Sequence, residues 1–503
     1  MGQAKYKKLK SKLRLEEPNI ILSPSLLQIS LILCIAVLQY FIFLYRSLLQ
    51  YNLIYSIMFH RSIVDKLKIW SEKSYRKPLI LRGARQVGKT SAVLLLADSF
   101  DQFIHLNLDK DDDRKLFSAH TEVRYLFDAI CLHAKIKPVK GSTLLFIDEI
   151  QNSPAAVQML RYFYEEISWL HVIAAGSLLE SLTVKGISFP VGRVEFLPVR
   201  PCSFSEFLVA FDDSQSNQLI QQVPFPEYGH DHLLKQFLLY TLTGGMPEII
   251  EIYRHEQSVA LLNPVYEGLI ATYLDDVEKY ARNSTMAQAI RHTIRHAFDA
   301  ASSRITFQGF GNSNYKSREM SEAFITLEKA YLLQLVYPTT YVEKPVKPNY
   351  RRSPKLQLVD TGLVNYASGV QADLLNFKDI HQSFRGRIAE HITGQELLAL
   401  SDSVLFTLNY WTREKKDATA EVDFIWSHRE KIIPIEVKSG KAGKLRSLHQ
   451  FIDRAPHALA VRIYSGKFNI EKATTLAGKE FTLLNLPFYL INKLPEYLSF
   501  AEK

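Results

Sequence analysis

The sequence predicts an α/β protein, with a parallel-sheet domain first, a mainly helical region next and a second α/β domain last. Three observations carry that reading. Over residues 78–98 an apolar strand runs into a glycine turn and then an apolar helix. Over 142–151 a second, wholly apolar strand ends in two carboxylates, and after residue 400 the pattern changes to alternating strands. At 503 residues the chain is too long for one compact domain, and 47% hydrophobic with 22% charged residues excludes a disordered or collagen-like chain. Cys34, Cys131 and Cys202 fall at no metal-ligand or redox spacing. They read as free thiols of a reducing, cytoplasmic compartment, and exclude a disulfide scaffold or a zinc site. Boundaries are expected at 1–57, 58–215, 216–375 and 376–503.

The net charge of +9 is uneven: residues 1–57 hold seven Lys/Arg against Glu16 and Glu17, and the remainder holds 54 basic against 50 acidic residues. From Pro18 to Tyr45 no residue is charged. As a helix, Ser25 to Tyr45 would span about 31 Å, which matches a bilayer core. Basic clusters on both flanks give no orientation. Three readings stand: a membrane helix, a buried or interfacial helix, and an extraneous segment ahead of a start at Met58.

The run PLILRGARQVGKTSAVLLLAD supplies strand, turn and helix, and Gly83, Gly88, Lys89 and Thr90 satisfy the pattern G-x4-G-K-[ST]. Such a turn points backbone amides at a polyphosphate, and the following helix adds its positive dipole end. The ATP-binding set is therefore Gly83, Ala84, Arg85, Gln86, Val87, Gly88, Lys89, Thr90 and Ser91, with Lys89 on the β- and γ-phosphates and Thr90 on Mg²⁺. STLLFIDEIQ (Ser142 to Gln151) then offers Asp148 for the Mg²⁺ shell and Glu149 to polarise the attacking water.

Phe103 to Asp109 reads as a further strand, Arg114 to Lys135 as a helix, and Leu170 to Ser177 and Arg193 to Val199 as two more strands. Strands alternating with helices make a helix-covered parallel sheet with ligands at the strand carboxyl ends. An extra strand between the phosphate-turn strand and the acidic strand is what a glutamate-using ATPase topology requires. Ser177 is then a candidate γ-phosphate sensor. Arg193 is a candidate finger or sensor arginine, acting in its own chain or, in a homo-oligomer, on a neighbour.

GARQVGKT, LLFIDEIQ, the AAGS strand end, GRVEFLPVRPCSFSEF (Gly192 to Phe207) and TGGMPE (Thr243 to Glu248) together resemble the AAA-type ATPases of bacteria and archaea that carry a carboxy-terminal domain of unknown function. The resemblance covers about residues 58–503. MFHRSIVDKLKIW is similar to the way members begin, and nothing in residues 1–57 matches. The resemblance implies a module of the winged-helix kind in the middle region, without implying its ligand.

Residues 282–355 hold twelve Lys/Arg against five Asp/Glu. Helical patterns at Met286 to Ala301 and Ser317 to Leu333, followed by Leu356 to Tyr366 as a wing strand, fit a winged helix. Arg304, Lys316, Arg318, Arg351 and Arg352 would then touch a phosphate backbone. The other reading is a helical lid with a solvated basic face.

In the last third, Arg385 to Leu400 reads as a helix and Thr419 to Gly440 as alternating strands. Asp423 followed by Glu436-Val437-Lys438 is the D…E-x-K order of restriction-endonuclease-like nucleases. Glu436 and Lys438, two apart on a strand, share a face. Asp423, Glu436 and Glu390 are candidate metal ligands, and Lys438 a candidate catalytic residue that orients a water. A degenerate fold that only binds or dimerises is the competing reading. Two functions follow: an ATP-driven enzyme acting on nucleic acid, or a nucleotide-switched signalling or assembly module.

Overall fold

The structure is a computed structural model that describes residues 59–119, 122–176, 190, 192–371, 386–413, 420–440 and 445–502. Two units separate along the chain, Met1–Phe59 and His60–Lys503. The apolar run Ser25 to Tyr45 lies outside the described residues. Among those described, no helix is long and apolar enough to cross a membrane.

In the second unit the apolar strands form a five-stranded sheet: β1 (Leu79–Arg82), β2 (Gln102–Asn107), β3 (Thr143–Asp148), β4 (His171–Gly176) and β5 (Glu195–Pro198), in the order β2-β3-β4-β1-β5. Every pairing is parallel. Such a sheet must be covered on both faces. Side chains alternate accordingly: Leu79 and Leu81 pack with Leu67 and Trp70 of the helix Ser62–Glu72 and Val93 and Leu96 of the helix Lys89–Ala97. Ile80 faces the other way, toward Leu126 and Leu160 of the helices Val123–Ala134 and Pro154–Glu166. The strand read at Phe103 to Asp109 lies at the edge, and the strand between β1 and β3 is β4, which follows β3 in the chain. The single helix read over 114–135 is two helices, Asp111–Ala119 and Val123–Ala134.

The middle region is helical from His230–Thr243 through Ser284–Ala297 and Ser317–Lys329 to the antiparallel pair β6 (Leu333–Thr339) and β7 (Lys355–Leu358). The strand read over Leu356 to Tyr366 stops at Leu358. Asp360 then accepts from the Leu363 amide at 3.1 Å and caps the helix Thr361–Ala367, because a short acceptor ahead of an apolar turn favours a helix start. The helix Gly386–Ala399 opens the last region. β8 (Asn409–Thr412) and β9 (Glu421–Val422) join β6 and β7 in a sheet ordered β7-β6-β8-β9. β10 (Phe424–His428), β11 (Lys431–Lys438), β12 (Leu459–Tyr464), β13 (Asn469–Thr474) and β14 (Glu480–Pro487) make a mixed sheet ordered β10-β11-β12-β14-β13.

The TGGMPE motif is a joint between these regions. A Cβ on Gly244 (φ +76°) would stand 2.2 Å from Asp360 Oδ1, and one on Gly245 would stand 2.3 Å from the Cys202 carbonyl, so only glycine fits both places. The Gly245 amide donates to Asp360 Oδ2 at 2.5 Å, while Gln395 bridges Asp360 and the Tyr240 hydroxyl. Beside them Glu396 Oε1 accepts from Tyr240 Oη at 2.7 Å and from the Phe204 amide at 3.0 Å. Burial pushes Asp360 up to about 6 and Glu396 up to about 7, the nearby Glu206 charge adding to the latter.

A carboxyl favoured neutral in the fold contributes stability that is complete below the unfolded pKa and is lost as pH rises through the folded one. Glu396→Gln keeps both acceptor contacts and has no charge to bury. It should match the parent near pH 4 and exceed it by on the order of 3 kcal/mol above pH 7. Urea unfolding of both proteins across that range checks this, and a difference that does not grow with pH would show that Glu396 is charged in the fold.

Candidate functional site

Where β1 ends, Gly83 passes so close to the end of β5 that a Cβ would stand 2.1 Å from the Val199 carbonyl oxygen. Gln86 (φ 62°) and Gly88 (φ 89°) take left-handed conformations, which turn successive amides to one side of the loop. Lys89 begins the helix and is 8% exposed, its Nζ donating to the carbonyls of Gly83 at 3.0 Å and Ala84 at 2.7 Å. Burial pushes its ammonium down to about 8, against the attraction of Glu149 and Asp148. Thr90 Oγ1 donates to Asp148 Oδ2 at 2.8 Å, so the hydroxyl and carboxylate read from two distant motifs meet. Burial works to raise the Asp148 carboxyl, but hydrogen bonds from His105, Thr90 and the Glu149 amide outweigh it and hold the group below its usual range. Glu149 sits at φ 51°, an unusual conformation for a side chain of its size, with the Gln151 amide donating to its carboxylate.

Two arginines hold the turn from outside. Arg61 donates from Nη1 to the Val87 carbonyl at 2.6 Å and from Nη2 to the Arg200 carbonyl at 2.9 Å, and it pairs with buried Glu206 at 3.2 Å. Arg85 pairs with Asp276 of the helical region, and Tyr273 Oη donates to the Arg85 carbonyl at 3.4 Å. The Arg85 side chain therefore faces the helices. Ser91 is half-buried one residue beyond Thr90, and Ser177 lies outside the described residues.

Arg193 departs from its sequence reading. It precedes β5, whose start pairs with Leu79, so it stands at the opposite end of the sheet from the turn that follows Arg82. There it makes an exposed ion pair with Glu165 at 2.8 Å. A charged residue at a strand's amino end cannot reach ligands held at the carboxyl ends of its own sheet, so the position bears on the reading within the chain and not on a role toward a neighbour. The arginine at the carboxyl end of β5 is Arg200, which helps line a cavity of about 300 Å³ with Ala84, Val87 and Tyr331, and whose Nε has no hydrogen-bond partner. Burial pushes its guanidinium down to about 10.

In the last region the structure brings together the four residues read from the D…E-x-K order. Phe424 pairs with Ile435, so Asp423 falls opposite Glu436, and Asp423 Oδ2 accepts from the Val437 amide at 2.8 Å. Lys438 Nζ meets Glu436 Oε1 at 2.6 Å, so the lysine read as orienting a water is paired with its neighbouring acid. The sequence reading missed Lys355. Its Nζ lies 2.5 Å from Glu390 Oε1, 2.6 Å from Glu421 Oε1 and 3.7 Å from Asp423 Oδ1. Burial and Asp423 push Glu436 up to about 7, and burial pushes Glu390 up to about 8 against the opposing pull of Lys355. Among the described residues no group of three or more His, Cys, Asp or Glu is arranged to hold a metal ion. In this conformation the Lys355 ammonium sits among the carboxylates read as metal ligands. Of the basic residues read as phosphate contacts, Arg304 pairs with Glu421 and Arg352 donates to Thr412 Oγ1 at 2.9 Å, whereas Lys316, Arg318 and Arg351 are exposed.

The AAA domain family matches residues 75–208, the stretch that holds the turn, β3 and β4. This part of the chain is an AAA-type P-loop ATPase domain. Downstream of the AAA-type domain, two domains of unknown function match, DUF8612 over residues 234–374 and DUF4143 over 385–489. No curated protein matches the chain. Similar solved structures include a Walker-type ATPase of Pyrococcus abyssi, at 14% identity over 62% of this chain and 96% of that one, with a TM-score of 0.39. A STAND signal-transduction ATPase of Pyrococcus horikoshii with a tetratricopeptide-repeat sensor is 13% identical over 68% and 46%, at 0.26. The ORC1 protein of Aeropyrum pernix, solved with DNA, is 12% identical over 62% and 93%, also at 0.26. At such scores the fold rests on the sheet order and the family match.

Proposed function

We propose that the chain is a Mg²⁺-dependent ATPase whose nucleotide state acts on the regions that follow the AAA-type domain. The observation that carries this is the meeting of Thr90 with Asp148, beside a buried Lys89 that, among the described residues, bonds only to carbonyls of its own turn. A hydroxyl and a carboxylate side by side suit a hard cation that wants oxygen ligands. The buried ammonium suits a polyphosphate, since a buried cation bonded only to carbonyls gains most from an anion. In this reading Lys89 and the turn amides bind the phosphates, Thr90 and Asp148 hold Mg²⁺, and Glu149 orients and takes the proton of the attacking water. Bound Mg²⁺ would neutralise charge on the transferred phosphoryl group. Arg85, through Asp276, is the side chain by which the turn is tied to the helical region.

The middle region supports action on nucleic acid. The helix Ser284–Ala297, the bridges of Ala301 and Arg304 to β7, the helix Ser317–Lys329 and the β6–β7 hairpin follow the order of a winged helix. Lys316, Arg318 and Arg351 are left on its exposed side. The last region has the helix, hairpin and D…E-x-K placement of a nuclease-like domain, with Glu390, Asp423 and Glu436 as the residues that would hold a metal. One observation favours the second reading, a nucleotide-switched module whose nuclease-like domain binds protein: Lys355 occupies that cluster. ATP turnover measured with and without single- and double-stranded DNA and RNA separates them. Stimulation that fades with added salt supports nucleic acid, and turnover indifferent to all of them supports the switched module.

The first described helix, Ser62–Glu72, contributes Ile63, Val64, Leu67 and Trp70 to the core under β1. A chain beginning at Met58 should therefore fold and hydrolyse ATP as fast as the full chain. Insolubility or loss of turnover in the shortened protein would show that residues 1–57 belong to the fold.

A further inference from the structure

Four carboxylates converge in the cleft of the nuclease-like domain: Glu390 from a helix, Glu421 and Asp423 from the β9–β10 edge, and Glu436 from β11. Like charges this close repel strongly in a water-poor place and need a cation among them. The structure supplies one from outside the domain. Lys355 opens β7 in the middle region and is 5% exposed, and its Nζ faces oxygens of three acids, one on the helix Gly386–Ala399 and two on the β9–β10 segment. Glu390 Oε1 and Glu421 Oε1 lie within hydrogen-bond distance of the ammonium, and Asp423 Oδ1, at 3.7 Å, is an ion-pair neighbour. The lysine is not free to swing away: β7 is held by the Val336–Lys355 pairing and by the Arg304 bridge to Lys355 itself. Glu436, 6% exposed, keeps one carboxylate oxygen, Oε2, with no hydrogen-bond partner, although Lys438 serves the other. That Oε2 oxygen is the one an ion replacing the ammonium would take up.

We propose that Lys355 is the resident cation of this cleft: its ammonium stands where a divalent metal would, and closes the site to metal while β7 is seated. The proposal rests on the nuclease-like reading of the cleft. A divalent ion there needs Glu390, Asp423 and Glu436 together, and Lys355 already engages the first two. Replacing Lys355 by a neutral side chain of similar length leaves Glu390 and Asp423 without their cation, while Lys438 stays on Glu436 and Arg304 on Glu421, and makes Mn²⁺ the natural replacement.

The test uses the full chain and Mn²⁺ alone, with bound ion counted by electron paramagnetic resonance. In a first comparison, Asp423→Asn is set against the parent. Equal Mn²⁺ binding is expected, since the parent cleft takes none and any ion at the phosphate turn is common to both. Loss of a Mn²⁺ in Asp423→Asn would overturn the proposal, because the cleft would then bind metal with Lys355 in place. This comparison leaves Lys355 untouched, so it decides the matter even where Lys355→Met does not fold. In a second, Lys355→Met should gain one Mn²⁺ per chain, bound roughly tenfold or more tighter than anything the parent cleft binds. Adding Asp423→Asn should remove it. A folded Lys355→Met protein that gains no Mn²⁺ overturns the proposal. Cleavage is not the readout: a Lys355→Met protein that binds Mn²⁺ and cuts no nucleic acid keeps the proposal and removes the nuclease reading.

Discussion

Glu149→Gln keeps ATP bound and slows its hydrolysis by about 10²-fold or more, whereas Lys89→Ala loses ATP affinity. The difference follows from where the two side chains sit. Lys89 is inside the turn and its ammonium touches only the Gly83 and Ala84 carbonyls, so it is free to transfer to phosphate, and removing it takes away a buried cation from ground and transition states alike. Glu149 follows the strand residue Asp148 and takes no part in the Thr90–Asp148 contact, its carboxylate accepting from the Gln151 side chain, so the amide variant leaves the Mg²⁺ residues in place and takes away only the base. Its partner Gln151 sharpens the expectation: Gln151→Ala should slow turnover less than Glu149→Gln, since it frees the carboxylate and does not remove it. Single-turnover hydrolysis and equilibrium binding of a fluorescent ATP analogue separate the effects. Equal turnover in the parent and Glu149→Gln would remove Glu149 from the chemistry and move the search for a base to another residue near the turn.

The phosphate turn was legible in the sequence because its physics is local. A strand, glycines at fixed offsets and a helix starting at the lysine are all the turn needs, and Thr90 with Asp148 followed from a strand too apolar to lie anywhere but mid-sheet. What sequence did not show is which strand stands beside which. β4, not the strand read at Phe103 to Asp109, separates β1 from β3, and spatial order in a parallel sheet depends on crossovers that leave no periodic mark. Arg193 as a sensor for its own chain was misplaced for the same reason: an arginine near a strand is conspicuous, but which end of the sheet it marks depends on the register, here Leu79 with Glu195. In the last region the short-range part, Glu436 and Lys438 on one face with Asp423 across a hairpin, was readable from period-two geometry. Lys355 was not, since it lies 35 residues before Glu390. The one available signal was a charged residue at the start of the short strand KLQL, next to leucines, a place where burial demands a partner.

Arg61→Met destabilises the fold by about 3–5 kcal/mol and weakens ATP binding with it. Arg61 and Glu206 are 7% and 6% exposed, and their charges were taken from water on condition of meeting each other. Removing the guanidinium leaves Glu206 buried with only the Ser62 amide and hydroxyl and the Ser203 amide as donors. Burial works to raise the Glu206 carboxyl, but Arg61 outweighs it and holds the group below its usual range. A carboxyl so depressed contributes stability that is present above its unfolded pKa and is lost as pH falls through the folded one. The Met variant should lose most of that acid-side slope, and Glu206→Gln, which keeps one oxygen as acceptor for the Ser62 donors and gives up the one that serves the Ser203 amide, should lose it too. The effect on ATP has a separate route. Arg61 also holds the Val87 and Arg200 carbonyls, so the outer wall of the turn loses two charge-assisted bonds at once. In the double variant Arg61→Met, Glu206→Gln, stability should recover part of the loss because no charge is left buried, while ATP affinity should stay weak because the Val87 carbonyl still lacks its donor. Urea midpoints and ATP dissociation constants for the four proteins measure both. Recovery of affinity together with stability would mean that Arg61 acts on the turn only by keeping the domain folded.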